Sequence, residues 1–187
     1  MALSKGYGKG VACLEGMWSF DIQNVVSVSP ILDILGKTHG IGSVLLRSST
    51  YEELKYNLEI YKHIRGAGIL YWAFHGSKGA IRLGDTTVKL DAIAKLMKKK
   101  FRGWVCIFGC CHTLRVDKHM VLDFMSKTEV LMVVGYTGQV NFLVSSCLEL
   151  LLIDWIQWFR DMKKGMKSFV RKYKNLVEFT GMVVYHR

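Results

Sequence analysis

The sequence predicts an α/β fold, a three-layer sandwich with a mostly parallel sheet and helices on both faces. Three observations lead there. Residues 69–74, 104–109 and 130–134 are short unbroken apolar runs, the signature of strands covered on both sides. Between such runs lie stretches of ten or more residues with apolar positions at helical spacing. These are long enough for the right-handed crossovers that parallel pairing demands. Finally, the 187 residues hold one proline, Pro30, and no Ser/Gly/Pro tract that would serve as a linker. The chain is therefore read as a single domain, 1–187.

The elements follow in order. Residues 11–14 form a first strand with a polar exit at Glu15-Gly16. Pro30 opens a helical pattern through Ile31, Leu32, Ile34 and Leu35, as proline does in a first turn, and Gly36 and Gly40 close it. Residues 41–46 are a second strand. Thr50 and Glu53 have capping-box spacing, and Leu54, Leu58 and Tyr61 continue one face of the helix behind them. After the strand at 69–74, residues 77–85 read as a small hairpin turning at Gly84-Asp85. Leu90, Ile93, Ala94 and Met97 mark a helix over 90–99. The strand at 104–109, a helix around 118–126, a strand at 129–135, a long apolar helix, a basic helix and a last strand at 182–185 complete the chain.

Composition narrows the class. Half of the residues are hydrophobic and 22% are charged, which argues against disorder. Five cysteines is an odd number, and Cys13, Cys106 and Cys147 sit inside apolar segments. That pattern suggests reduced, buried thiols in a cytoplasmic protein rather than a disulfide framework. The first ten residues lack the apolar centre of a signal peptide. The most hydrophobic window, 142–159, carries Glu149, Asp154, Gln157 and two serines, so it is read as a buried helix and not a membrane span. The formal net charge is +11, concentrated at 95–102 and 160–174. These segments are read as solvated helix faces and not as a nucleic-acid surface. They lack interleaved exposed aromatics and any groove-reading motif.

Two apolar runs end in reactive residues. The first stops at His75-Gly76 and the second at Gly109-Cys110-Cys111-His112-Thr113. In open α/β sheets, reactants gather at the carboxyl ends of strands. If the two strands are parallel neighbours, a histidine meets a cysteine as a nucleophile meets its proton carrier. A thiol becomes a good nucleophile as the thiolate, a nearby imidazole can shuttle the proton, and backbone N–H groups can face the oxyanion that forms. Cys110 stands as an alternative nucleophile, since adjacent residues on a turn point different ways. His112 and His119 with the two thiols lack the spacing of a zinc site, so neither a metal nor a cofactor is expected.

The strand–His–Gly, strand–Gly-x-Cys-His-Thr layout resembles the caspase-like clan of cysteine peptidases. Nearest are the metacaspases (Asp-x-Cys-His-Ser-Gly) and the CHAT caspase-like domains (Ala-Cys-x-Thr). The blocks Leu14-Glu15-Gly16-Met17-Trp18, Phe74-His75-Gly76, Phe108-Gly109-Cys110-Cys111 and Val134-Gly135-Tyr136-Thr137 are also similar to a poorly characterised bacterial family of small stand-alone caspase-like proteins. That resemblance spans nearly the whole chain. It implies a caspase-like sheet and a His75–Cys111 dyad, with the Gly76 and Cys111 amides as the oxyanion hole. The activity implied is that of an endopeptidase working through a thioester on a protein or peptide, in bacterial defence or regulated cell death.

Some family features are absent. The caspase Gln-Ala-Cys block is missing, the spacing from histidine to cysteine is shorter than the caspase value of about 50 residues, and Gly109 stands where metacaspases hold a basic side chain with aspartate. Tyr136, Gln139, Asn141, Cys110 and Glu15 are the residues expected to border the substrate. Two further readings stay open: an inactive caspase-fold module that binds protein, and a basic protein associated with nucleic acid. A homodimer through a sheet edge is compatible with the residues but not fixed by them.

Overall fold

The computed structural model describes residues 8–19 and 26–187. Most of the opening stretch read for a signal peptide thus lies outside the described residues. The strands in chain order are β1 (Gly10–Glu15), β2 (Ser43–Arg47), β3 (Ala67–Ala73), β4 (Gly76–Ser77), β5 (Ala80–Leu83), β6 (Thr86–Lys89), β7 (Val105–Phe108), β8 (Met132–Tyr136) and β9 (Met182–His186). The helices are α1 (Ser29–His39), α2 (Tyr51–Tyr61), α3 (Leu90–Met97), α4 (Lys118–Thr128), α5 (Phe142–Ile156), α6 (Met162–Lys172) and α7 (Lys174–Thr180).

Six strands form the central sheet in the order β2-β1-β3-β7-β8-β9. The first five are mutually parallel, and β9 closes the edge antiparallel to β8. Because strand side chains alternate, each apolar run feeds two cores. Ala12, Leu14, Leu70, Trp72, Cys106 and Phe108 pack with α2, α3 and α4. Val11, Cys13, Ile69, Tyr71, Val105 and Ile107 pack with α1, α5, α6 and α7. This is the mostly parallel three-layer sandwich that the apolar runs predict.

Several boundaries differ from expectation, each for a local reason. Gly36 lies within α1, which runs on to His39. The helix is closed by Gly40 alone, whose φ of +66° is the left-handed conformation that glycine accepts cheaply, with its N–H on the Gly36 and Leu35 carbonyls. The capping box at Thr50 and Glu53 forms as read. The hairpin becomes a three-stranded antiparallel sheet, because residues 76–77 pair back onto β5. β8 starts at Met132 and not at 129, since Glu129 (φ +59°) ends α4 in a left-handed turn. One basic helix was expected near the C-terminus; two form, broken at Tyr173. Among the described residues no helix is long and apolar enough to cross a membrane.

Candidate active site

β3 and β7 are direct parallel neighbours, with Trp72 opposite Phe108. Their pairing continues one step past the strands, where the Gly109 N–H donates to the Trp72 carbonyl at 2.9 Å. The two exits therefore leave the sheet side by side. Gly76 makes the contact close enough to require glycine. A Cβ there would overlap the Cys111 carbonyl oxygen and lie 2.5 Å from Thr113 Oγ1 and 2.9 Å from the Cys110 Cβ. No larger residue fits without moving backbone.

His75 is exposed at the end of β3. Its Nε2 lies 2.7 Å from the carbonyl oxygen of Trp18, on the loop after β1. A carbonyl only accepts, so Nε2 is the donor, and in the neutral ring Nδ1 is the nitrogen with a free lone pair. The Trp18 indole meets the imidazole edge-on, with centroids 5.2 Å apart, and meets Phe142 at the start of α5 in the same way at 5.3 Å. On its other side, the His75 carbonyl accepts from the Arg82 N–H at 2.8 Å, which ties the β3 exit to β5.

Of the three cysteines expected to be buried, Cys13 and Cys106 are, whereas Cys147 is exposed, on the face of α5 turned away from the core. The vicinal pair, Cys110 and Cys111, occupies opposite environments. Cys110 is fully buried, and its thiol donates to the Trp72 carbonyl at 3.2 Å. Burial pushes that thiol well above the ordinary cysteine value, so it stays protonated. Cys111 is half-buried. Its sulfur accepts from the Val140 N–H at 3.5 Å and lies 3.9 Å from the Val140 carbonyl. The next residue, His112, has φ +57°, an uncommon conformation for a side chain with a Cβ. It is held there from both sides: its N–H donates to Gly138 O at 2.9 Å, and its carbonyl accepts from the Arg115 N–H at 2.9 Å. Backbone strain of this kind persists where surrounding bonds enforce it. Here they lock the turn that carries Cys111 onto the loop leaving β8. The Cys111 N–H has no backbone acceptor among the described residues.

The residues expected to border the substrate divide, and three of those readings are corrected. Cys110 is sealed in the core as described. Tyr136 is fully buried, its hydroxyl turned inward within hydrogen-bonding reach of Ser145 O, at 3.4 Å, and beside Glu149. Glu15 is 1% exposed. Its Oε1 accepts from Trp18 Nε1 at 3.2 Å and the Val28 N–H at 2.7 Å, and its Oε2 accepts from Ser27 Oγ at 2.9 Å, with Arg47 Nε at 3.5 Å. A side chain with no exposed surface cannot touch substrate without rearrangement, so these three belong to the support of the site. Gln139 and Asn141 are exposed. Asn141 has a local task as well, capping α5 by accepting from the N–H groups of Leu143 and Val144.

Sequence reasoning missed Trp18, Val140 and Glu149. Glu149 lies on α5 beneath the turn, fully buried, taking a hydrogen bond from Tyr71 and leaving Oε1 without a partner. Burial raises its carboxyl to about 7, opposed by the hydrogen bonds from Tyr71 and Tyr136. Gly109 sits directly over it: a Cβ at 109 would lie 2.8 Å from the Tyr71 ring and 3.1 and 3.2 Å from the two Glu149 oxygens. A glutamate in an apolar helix was the one available signal, and it gave no hint of which strand it would face.

Comparison with known proteins bears on the fold. A family model described as "Family of unknown function (DUF6642)" matches residues 8–186. No curated protein matches the sequence. Among solved structures, the chain is similar to the crystal structure of caspase-1 from Spodoptera frugiperda, at 13% identity and a TM-score of 0.57, covering 97% of this chain and 87% of that one. It is also similar to the pro-form of that caspase, at 14% identity and a TM-score of 0.62, covering 100% of this chain and 96% of the other. At such identity the likeness establishes a caspase-like fold, and the chemistry has to be argued from the site.

Proposed function

The chain belongs to this family of unknown function, and we propose that it is a cysteine peptidase with a caspase-like fold, using His75 and Cys111 as its dyad and acting on a protein or peptide. One observation carries the reading. The Nε2 of His75 is held by the Trp18 carbonyl, so the nitrogen left to exchange protons is Nδ1, on a strand exit in backbone contact with the turn of Cys111. Two supporting observations concern the thiols. Cys111 is the accessible member of the vicinal pair, and the Val140 N–H on its sulfur offers partial positive charge where a thiolate would form.

In the proposed sequence, the Cys111 proton passes to Nδ1 as the sulfur attacks the scissile carbonyl. The Cys111 and Gly76 amides face the oxyanion. The imidazolium then gives its proton to the departing amine, and the C–N bond breaks to leave a thioester. Water, losing a proton to Nδ1, attacks the thioester; the carboxylic acid leaves, and the proton returns to the sulfur.

The test combines labelling with cleavage. Limited iodoacetamide at neutral pH, read by peptide mass spectrometry, should modify Cys111 well ahead of Cys110 and far faster than a cysteine in the unfolded chain. A mixed peptide library should be cut by the wild type and left intact by Cys111→Ala. Labelling of Cys111 no faster than in the denatured protein, together with cleavage that survives Cys111→Ala, would sink the reading.

A further inference from the structure

We infer that Glu15 is a positioning residue for His75, acting through Trp18. The inference deepens the peptidase reading and rests on it for its catalytic meaning, though the geometry belongs to the fold alone. Glu15 is the last residue of β1, and its backbone is paired on both sides, opposite Arg47 of β2 and Ala73 of β3. Its position is therefore set by the sheet. From that fixed point one carboxylate gathers both ends of the connection between β1 and α1. It takes the indole N–H of Trp18 at the near end and the Ser27 hydroxyl and Val28 N–H at the far end.

The Trp18 bond matters for chemistry because of what the same residue does with its carbonyl. That oxygen accepts from His75 Nε2, and the indole ring packs edge-on against the imidazole. The loop carrying Trp18 has no strand or helix of its own before α1 among the described residues. What orients its carbonyl is the indole, held at its N–H by Glu15 and in T-shaped contact with both His75 and Phe142. The order of dependence runs from sheet to Glu15, to Trp18, to the tautomer of His75. A buried carboxylate with all these donors is costly to replace by an apolar group, because each donor would lose its partner.

The experiment reads the His75 ring directly by long-range proton–nitrogen NMR on protein labelled at histidine, with His75→Gln used to assign the signals. Wild type should show a single tautomer with the proton on Nε2. Glu15→Gln should keep it, since the amide oxygen still accepts from Trp18 and Val28. Glu15→Ala should give a mixture of tautomers. Trp18→Phe, which keeps a ring against His75 but removes the indole N–H, should give the same mixture and decides the matter should Glu15→Ala fail to fold. Retention of the wild-type tautomer in folded Trp18→Phe or Glu15→Ala protein would overturn the inference.

A second readout separates the two claims. If His75→Gln leaves Cys111 alkylation at the wild-type rate, the peptidase reading fails while the tautomer result still decides the role of Glu15. If His75→Gln slows alkylation but Trp18→Phe shifts neither tautomer nor rate, the dyad stands and the positioning role falls.

Discussion

Trp18 and His75, 57 residues apart in sequence, are joined by a 2.7 Å hydrogen bond from imidazole to backbone carbonyl. An orienting acceptor that is backbone cannot be removed by substituting Trp18, so variation at 18 can only loosen it. This separates two kinds of variant. Replacing His75 removes the proposed proton carrier, and on that reading cleavage of a peptide library should fall by about 10²–10⁴-fold. Trp18→Ala should cost less, because some molecules will still hold the ring correctly. Initial cleavage rates for the two variants, measured side by side, check the ordering.

The vicinal thiols should differ in accessibility to an alkylating reagent. Cys110 is buried and protonated, so Cys110→Ala should preserve Cys111 alkylation while lowering stability. A buried residue shortened to alanine leaves a small cavity and drops a hydrogen bond to the Trp72 carbonyl. The loss should be on the order of 1–2 kcal/mol. Urea denaturation combined with the labelling rate tests both halves.

Gly76→Ala should be severe for its size. The added methyl meets the Cys111 carbonyl and the Cys110 Cβ, which are backbone or nearly so and cannot swing away. Crowding of this sort costs about 1–3 kcal/mol, sometimes more. Reactivity at Cys111 should fall as well, because relief requires the turn to move. Thermal unfolding alongside alkylation at a temperature where the variant is folded gives the measurement.

Glu149 predicts a pH dependence of stability. Its carboxyl is raised from 4.5 to about 7 in the fold, so the native state favours the protonated form more than the unfolded chain does. The contribution is complete below about pH 4.5, declines as pH rises towards 7, and is gone above it. The total is roughly 3 kcal/mol. Urea midpoints at pH 5 and pH 8 should therefore differ more for wild type than for Glu149→Gln, which has no proton to lose. Equal differences in the two proteins would mean that Glu149 is not the group responsible.

Asn141 gives the last test. The structure makes it the cap of α5, so Asn141→Ala should cost about 1 kcal/mol of stability. Full loss of cleavage with unchanged stability would return it to the substrate-contact role read from sequence.

The fold was legible because its signals are local. Residues 69–74 and 104–109 are apolar without interruption, and only a strand buried on both faces asks for that. His75 and Cys111, the proposed dyad, stand just past the ends of those runs, where the sheet exits. What could not be read was direction and partnership. Glu15 and Tyr136 both end strands on the reactive edge, and alternation alone does not say that their side chains fold under the edge and not over it. Val140 reaches a sulfur 29 residues earlier, and Glu149 reaches Tyr71 across 78. Such pairings are set by how α5 lies on the sheet, which no window of sequence contains. The extra break at Tyr173 was hidden because the basic run of α6 continues to Lys174, across the break, with no glycine or proline to mark it.

The bare backbone at Gly109, with a buried carboxylate from α5 filling the space beneath it, limits how this scaffold can be redesigned. Grafting an aspartate there, the obvious route to a taste for basic side chains, would crowd two acids into one dry chamber. One of the two would have to stay neutral, and the Tyr71 ring would have to shift to admit the graft. A workable redesign has to vacate position 149 first, which makes the change a concerted pair and not a single step.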